Sequence, residues 1–311
     1  MRRILAIDGG GIKGVMPAAF LAALEESLGG HIARYFDLIV GTSTGGIITI
    51  ALGLGFTAGE VLALYEGLSP TVFGGNRLWR GIRRIGLSAY SSGPLRAALT
   101  AKFGDKRLGD STKRLVIPSV NLETGEVYIY KTAHHPRFER DYREKAVDVA
   151  LATAAAPTYF PTHRSAAGVP LVDGGMWANN PVGLAVVEAI GVLGWDRTDL
   201  KVLSLGCTAE PLDASLAVRR GLGLGYWAWK SVDVFMAAQS SASLGTAQIL
   251  AGHENVIRIC PIAGKGRFGL DKIREIPSLK GLGHSEARKA LPHLRPVFFE
   301  AEAQPFNPYH R

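Results

Sequence analysis

The chain has 311 residues, 47% of them hydrophobic and 20% charged, with a formal net charge of +8. That balance excludes a disordered chain, and only two cysteines, Cys207 and Cys260, exclude a disulfide framework or a cysteine-built zinc site. The basic surface suits anionic membranes or small anionic ligands, but no zinc-finger spacing or aromatic RNA-binding signature accompanies it, so DNA and RNA are not expected partners.

Only four apolar residues separate Arg3 from Asp8, fewer than the seven or so of a signal-peptide core. No run approaches the roughly 18 apolar residues of a membrane span. A cytoplasmic protein with reduced thiols is expected. RILAI (3–7) reads as a short buried strand, and VMPAAFLAALEESL (15–28) has helical apolar spacing closed by Gly29 and Gly30. FDLIV (36–40) is a second strand, followed by GTSTGG and an apolar helical segment. Thr57 and Glu60 have capping-box spacing ahead of another helix. Residues 69–93, rich in Gly, Arg and Ser, read as a long irregular surface insertion.

Further on, 115–122 and 126–132 are strands joined by a Glu-Thr-Gly turn. A helix over 144–156 follows, then a strand in GVPLVDGGM (168–176). The segment 179–194 carries asparagine caps and a first-turn proline, a helix start. KVLSLG (201–206) is a strand, 226–252 an alanine-rich helix and 255–262 a strand. A short helix over 284–291 and a proline-rich end close the chain. Alternating strands and helices imply an α/β fold with a largely parallel sheet covered on both faces. No linker or repeat appears, so 1–311 reads as one domain, with 211–311 the less legible part.

Three short motifs follow apolar strands. GTSTG puts Ser43 between Gly41 and Gly45, the pattern of a nucleophile elbow, whose turn admits only small neighbours and presents the hydroxyl at a helix start. AIDGGGIKG offers the backbone N–H groups of Gly9, Gly10 and Gly11 to an oxyanion or a phosphate, with Lys13 adding charge before Gly14. VDGG places Asp173, Gly174 and Gly175 at a strand's carboxyl end, where sites of open α/β sheets gather. A Ser-His-Asp triad would draw on one of eight histidines, and His253 or His284 stands late enough in the chain. Neither has a context that singles it out, whereas a carboxylate in reach of the hydroxyl can itself be the base. The residues favour a Ser43–Asp173 dyad.

DGGGIKG, then GTSTG some thirty residues on, then DGG far downstream resembles the patatin-like phospholipases, over roughly residues 4–210. The resemblance implies a three-layer α/β/α fold and an acyl-ester hydrolase acting on membrane phospholipids without metal or cofactor. Ser43 would be the nucleophile, Asp173 its base, and the Gly9–Gly11 backbone the oxyanion hole. Lys13 stands where many members have arginine. Compact relatives include antiphage effectors switched on by cyclic oligonucleotides. The basic stretch Arg77, Arg80, Arg83 and Arg84 could take such an anion or a lipid headgroup, or be a solvated face. The apolar and aromatic residues of 72–90, among them Phe73, Trp79 and Tyr90, together with Tyr226, Trp227 and Trp229, could dip into a bilayer as the enzyme associates peripherally, or pack in the core. A homo-oligomer is compatible with all of this. Two rivals stay open: an actin-like sugar kinase using the DGGG loop for ATP phosphates, and a catalytically silent binding protein.

Overall fold

The computed structural model describes residues 1–73, 87–211, 223–264 and 266–311. Five parallel strands form its centre: β1 (Arg2–Ile7), β2 (Leu38–Gly41), β3 (Arg114–Asn121), β7 (Leu200–Leu205) and β8 (Val256–Ile259), in the order β3-β2-β1-β7-β8. β6 (Pro170–Asp173) and the hairpin strand β4 (Val127–Lys131) both pair antiparallel to β3, and β5 (His163–Arg164) pairs with β6 at the edge. The sheet order reverses at β1, which has β2 on one side and β7 on the other. The glycine loop leaves β1 there, at the switch point where open α/β sheets place their sites.

Strand alternation explains the three layers. Leu5, Ile7, Ile39, Leu115 and Ile117 face one core, together with α1 (Val15–Leu28), α2 (Thr44–Gly53), α3 (Ala58–Phe73), α4 (Gly93–Phe103) and α5 (Ala146–Thr153). Ile4, Ala6, Leu38, Val40 and Val116 face the other, against α7 (Val182–Gly191), which follows the short α6 (Gly175–Ala178), and the end of α8 (Leu224–Ala251). Successive residues of one strand point to opposite faces, so strands covered on both sides read as unbroken apolar runs. The α/β/α fold is as the sequence indicated. The Thr57–Glu60 box forms, with Glu60 N–H donating to Thr57 Oγ1 at 3.0 Å and Thr57 N–H to Glu60 Oε2 at 2.9 Å.

Three expectations change. The 69–93 stretch is helical at both ends, since α3 runs on to Phe73 and α4 starts at Gly93 with Pro94 in its first turn; 74–86, with Trp79 and the four arginines, lies outside the described residues. The strand predicted over 36–40 begins at Leu38; at Asp37 the side chain, not the backbone carbonyl, accepts from Arg3 N–H at 2.9 Å, while Asp37 N–H donates to Arg3 O at 2.8 Å. The short helix expected over 284–291 is the middle of α9 (Ile276–Phe298), which contains Pro292 and Pro296. A proline inside a helix loses a hydrogen bond. Here Leu279, Ala287, Leu294 and Phe298 are buried in the core that α1 supplies, and that burial offsets the loss. With β8 on the sheet and α9 on α1, the described residues beyond 210 complete the same layers.

Candidate active site

Ser43 joins β2 to α2 with φ 55° and ψ −121°, a strained conformation for a serine. Space around the turn dictates the glycines. A Cβ on Gly45 would lie 2.2 Å from Ile7 O, and one on Gly41 2.2 Å from Gly45 O. A Cβ on Gly14 would strike the Thr44 methyl at 1.7 Å. The turn is secured from three sides. Ser43 N–H donates to Thr153 Oγ1 at 3.0 Å, Thr44 Oγ1 donates to Gly11 O at 2.8 Å, and Thr42 Oγ1 donates to Ala178 O.

Asp173 ends β6, opposite Ser119 of β3, and its N–H donates to Ala155 O at 3.0 Å. The Ser43 hydroxyl donates to Asp173 Oδ2 at 2.6 Å, and Gly175 N–H donates to Oδ1 at 2.7 Å. Both side chains are buried. Burial pushes the Asp173 carboxyl up to about 6, against the downward pull of the Ser43 and Gly175 hydrogen bonds. This is an alcohol in contact with a carboxylate whose proton affinity suits a base near neutral pH.

The glycine loop lies beside this pair: a Cβ on Gly9 would come 3.2 Å from Ser43 Cβ. Gly9 N–H is taken by Asn179 O at 2.9 Å, and Ile12 N–H by Leu270 O at 2.9 Å. The N–H groups of Gly10 and Gly11 between them have no partner among the described residues. Gly11 has φ 58°, and a Cβ there would lie 2.5 Å from Leu270 O, so only glycine fits.

A comparison with family models matches residues 5–186 to "Patatin-like phospholipase", a span that includes the glycine loop, Ser43 and Asp173. The chain belongs to the patatin-like phospholipase family. A "cGAMP-activated phospholipase" of Pseudomonas aeruginosa is 36% identical, covering 93% of this chain and 88% of that one. A protein of the same name from Vibrio cholerae is 34% identical over 80% of this chain and 76% of its own. "Patatin-like protein 2" of Arabidopsis thaliana is 30% identical over 74% and 65%. Lipid ester hydrolysis is the chemistry of this patatin-like phospholipase, and the sugar-kinase reading falls with it.

Neither proposed triad histidine reaches the site. His253 is exposed in the turn after α8, and His284 sits on α9 over a groove lined by Glu25 and His31. No histidine hydrogen-bonds to Ser43 or Asp173 among the described residues. His134 is committed elsewhere, its Nε2 2.9 Å from Glu188 Oε1. Lys13 stands on the glycine turn without an ion pair among the described residues, and no group of metal-binding side chains occurs among them.

Three supports of the site were not legible in the sequence. Thr153 accepts from Ser43 N–H and donates to Pro118 O at 2.6 Å, but it stands in an unremarkable ATAAAP run. Arg258 of β8 grips Asp8 with both guanidinium nitrogens and donates to Ser204 Oγ at 2.7 Å, tying the glycine loop to β7 and β8. Gln239 of α8 accepts from Asn179 N–H at 2.8 Å, steadying the segment after Asp173. Each of the three reaches at least one residue more than 50 positions away, and no local pattern marks them.

Proposed function

We propose that this protein cleaves phospholipid esters with a Ser43–Asp173 dyad. The observation that carries the reading is the 2.6 Å hydrogen bond from the Ser43 hydroxyl to Asp173 Oδ2. Asp173 takes the hydroxyl proton as Ser43 Oγ attacks the ester carbonyl. The resulting oxyanion is met by the N–H groups of Gly10 and Gly11, which have no partner among the described residues, at the switch point of the sheet. Gly9, expected as a third donor, has its N–H committed to Asn179 O, so it fixes the loop instead. Asp173 passes the proton to the departing lysolipid oxygen. Water then attacks the acyl-enzyme with Asp173 again as base, and the fatty acid leaves.

The substrate comes from a membrane surface. Met176 and Trp177, directly after the Asp173 turn, are 63% and 38% exposed, and Leu270 against Gly11 is 38% exposed. Trp227 at the start of α8 is 43% exposed, while the side chain of Trp229 lies outside the described residues. No helix among the described residues is long and apolar enough to cross a membrane. Apolar side chains at the site mouth and a basic surface suit peripheral docking on an anionic bilayer.

The relatives' printed names support a second element, activation by a cyclic dinucleotide, which would make this chain a membrane-degrading antiviral effector. The test is fatty-acid release from phosphatidylglycerol-containing vesicles, with and without cGAMP, beside Ser43→Ala. Release by wild type and none by the variant is expected. Equal release by both overturns the dyad, and silence from both under every nucleotide overturns the hydrolase reading in favour of a binding protein.

A further inference from the structure

A cleft of about 880 Å³ lies at the end of the sheet opposite the dyad. Arg34, on its edge, shortly precedes β2, and Ser111, Thr112 and Lys113 lead straight into β3. Ser43 follows the other end of β2. Arg107, Tyr142 and Arg143 form one wall. The segment 302–311 forms the other, pinned where Ala303 N–H donates to Arg34 O and Tyr309 N–H to Ala133 O, both at 2.8 Å.

Its charge is mostly basic; Asp110 also lines it and accepts from Arg107 N–H at 2.8 Å. Arg34 is balanced by Glu302 at 3.6 Å. Arg107, Lys113, Arg143 and Arg311 also line the cleft, and none has an ion-pair partner among the described residues. The side chains of three of them make only neutral bonds or none: Arg107 to Arg143 O at 2.8 Å, Arg143 to Tyr142 Oη at 2.9 Å, Lys113 to Arg34 O at 3.3 Å. Burial pushes the Lys113 ammonium down, so an anion beside it would be favoured. Flat surfaces accompany the charge. Tyr142 stacks on His310 with centroids 6.0 Å apart, and Phe306 carries the Arg114 guanidinium at 5.0 Å. Such ring and guanidinium planes accept nucleobases by stacking.

A single phosphate would leave most of this volume empty, since small-ligand sites of about 300–1,000 Å³ hold drug-sized molecules. A bilayer headgroup would have to enter at the end of the strands away from the dyad. A compact ligand with two phosphates and planar bases satisfies both the charge and the size. We propose that this cleft is the binding site of a cyclic dinucleotide, with Arg107, Lys113, Arg143 and Arg311 on its phosphates and a base against the partly exposed Phe306 ring. The inference rests on the reading that a nucleotide activates the enzyme.

One helix connects the two sites. α5 starts three residues after Arg143, where Leu108 N–H donates to Glu144 O at 2.9 Å and Ala146 N–H to Lys106 O at 2.9 Å. It ends at Thr153, the acceptor of Ser43 N–H. An eight-residue helix is about 12 Å long and moves as a unit. A ligand that shifts the Tyr142–Arg143 wall therefore bears on the nucleophile turn.

The experiment is calorimetric titration of the full chain with cGAMP, cyclic di-GMP and cyclic di-AMP, beside Arg107→Glu, Arg143→Glu and the unrelated basic-stretch variant Arg80→Glu. Binding of one nucleotide by wild type is expected, weakened about 10- to 100-fold in each cleft variant and unchanged in Arg80→Glu. The nucleotide-free circular dichroism spectrum of the cleft variants should match wild type, which shows that they fold. Equal activation of wild type and cleft variants overturns the cleft and leaves nucleotide gating standing. Loss of binding in Arg80→Glu alone moves the ligand to the basic stretch. Loss of nucleotide-free vesicle co-sedimentation in the cleft variants makes the cleft a lipid contact instead. Hydrolysis by wild type that neither binds nor responds to any nucleotide overturns both gating and cleft, and leaves the lipid hydrolase intact.

Discussion

Replacing Asp173 by asparagine should inactivate the enzyme and stabilise it. The Asp173 carboxyl, ordinarily near 3.8, is pushed by burial to about 6. At pH 7.5 the fold therefore holds a carboxylate that resists ionisation by about 2 pH units, a destabilisation of about 3 kcal/mol. Asparagine keeps the shape and removes the charge, but it cannot accept from both the Ser43 hydroxyl and Gly175 N–H, which costs about 1 kcal/mol. The net gain is about 2 kcal/mol, or about 3–6 °C in melting temperature. The sign follows from the raised pKa. Between the unfolded and folded values the native state binds more protons, so wild type loses stability as pH rises from about 4 to about 6 and then levels off. The advantage of Asp173→Asn should accordingly be absent at pH 4, grow through pH 5 and be complete above pH 6.5. Urea melts of both proteins across this range measure it. Vesicle hydrolysis should meanwhile fall about 10²- to 10⁴-fold in the variant, and wild-type kcat/KM should drop on the acid side with an apparent pKa near 6. A variant less stable than wild type at pH 7.5, or a difference flat in pH, would refute the argument, because Asp173 would then not be a desolvated carboxylate.

Two other substitutions probe the frame around the dyad. Thr153→Val is nearly isosteric but strands Ser43 N–H in the interior. A loss of about 1–3 kcal/mol in denaturant unfolding is expected, with a lowered kcat and little change in KM. Gly11→Ala forces a Cβ against Leu270 O at a residue with φ 58°, so vesicle hydrolysis should fall at least about 100-fold, while circular dichroism stays native if the distortion is confined to the oxyanion loop.

Much of the site can be read before any fold is known, because its turns are local. GTSTG, DGGG and DGG each end an apolar strand, and each needs glycine where a side chain would strike backbone nearby in space. The same locality made the capping box at Thr57 and the 15–28 helix legible. Pro292 and Pro296 misled in the opposite direction, since local rules end a helix at such residues while burial on α1 carries it through.

The amino-acid sequence by itself determined the alternation of strands and helices and the three strand-end turns that carry Ser43 and Asp173, since each depends on neighbours in the chain. Only the tertiary structure decided that Asp173, 130 residues away, meets Ser43, and that no histidine does among the described residues. It also decided that Gly9 spends its N–H on Asn179, that Thr153 and Arg258 hold the Ser43 turn and the glycine loop, and that cations without an ion-pair partner among the described residues gather at the far strand ends. Those contacts depend on strand order and on helices crossing the sheet. The chain satisfies them through burial and hydrogen bonding between distant segments, which leaves no periodicity for a sequence to display.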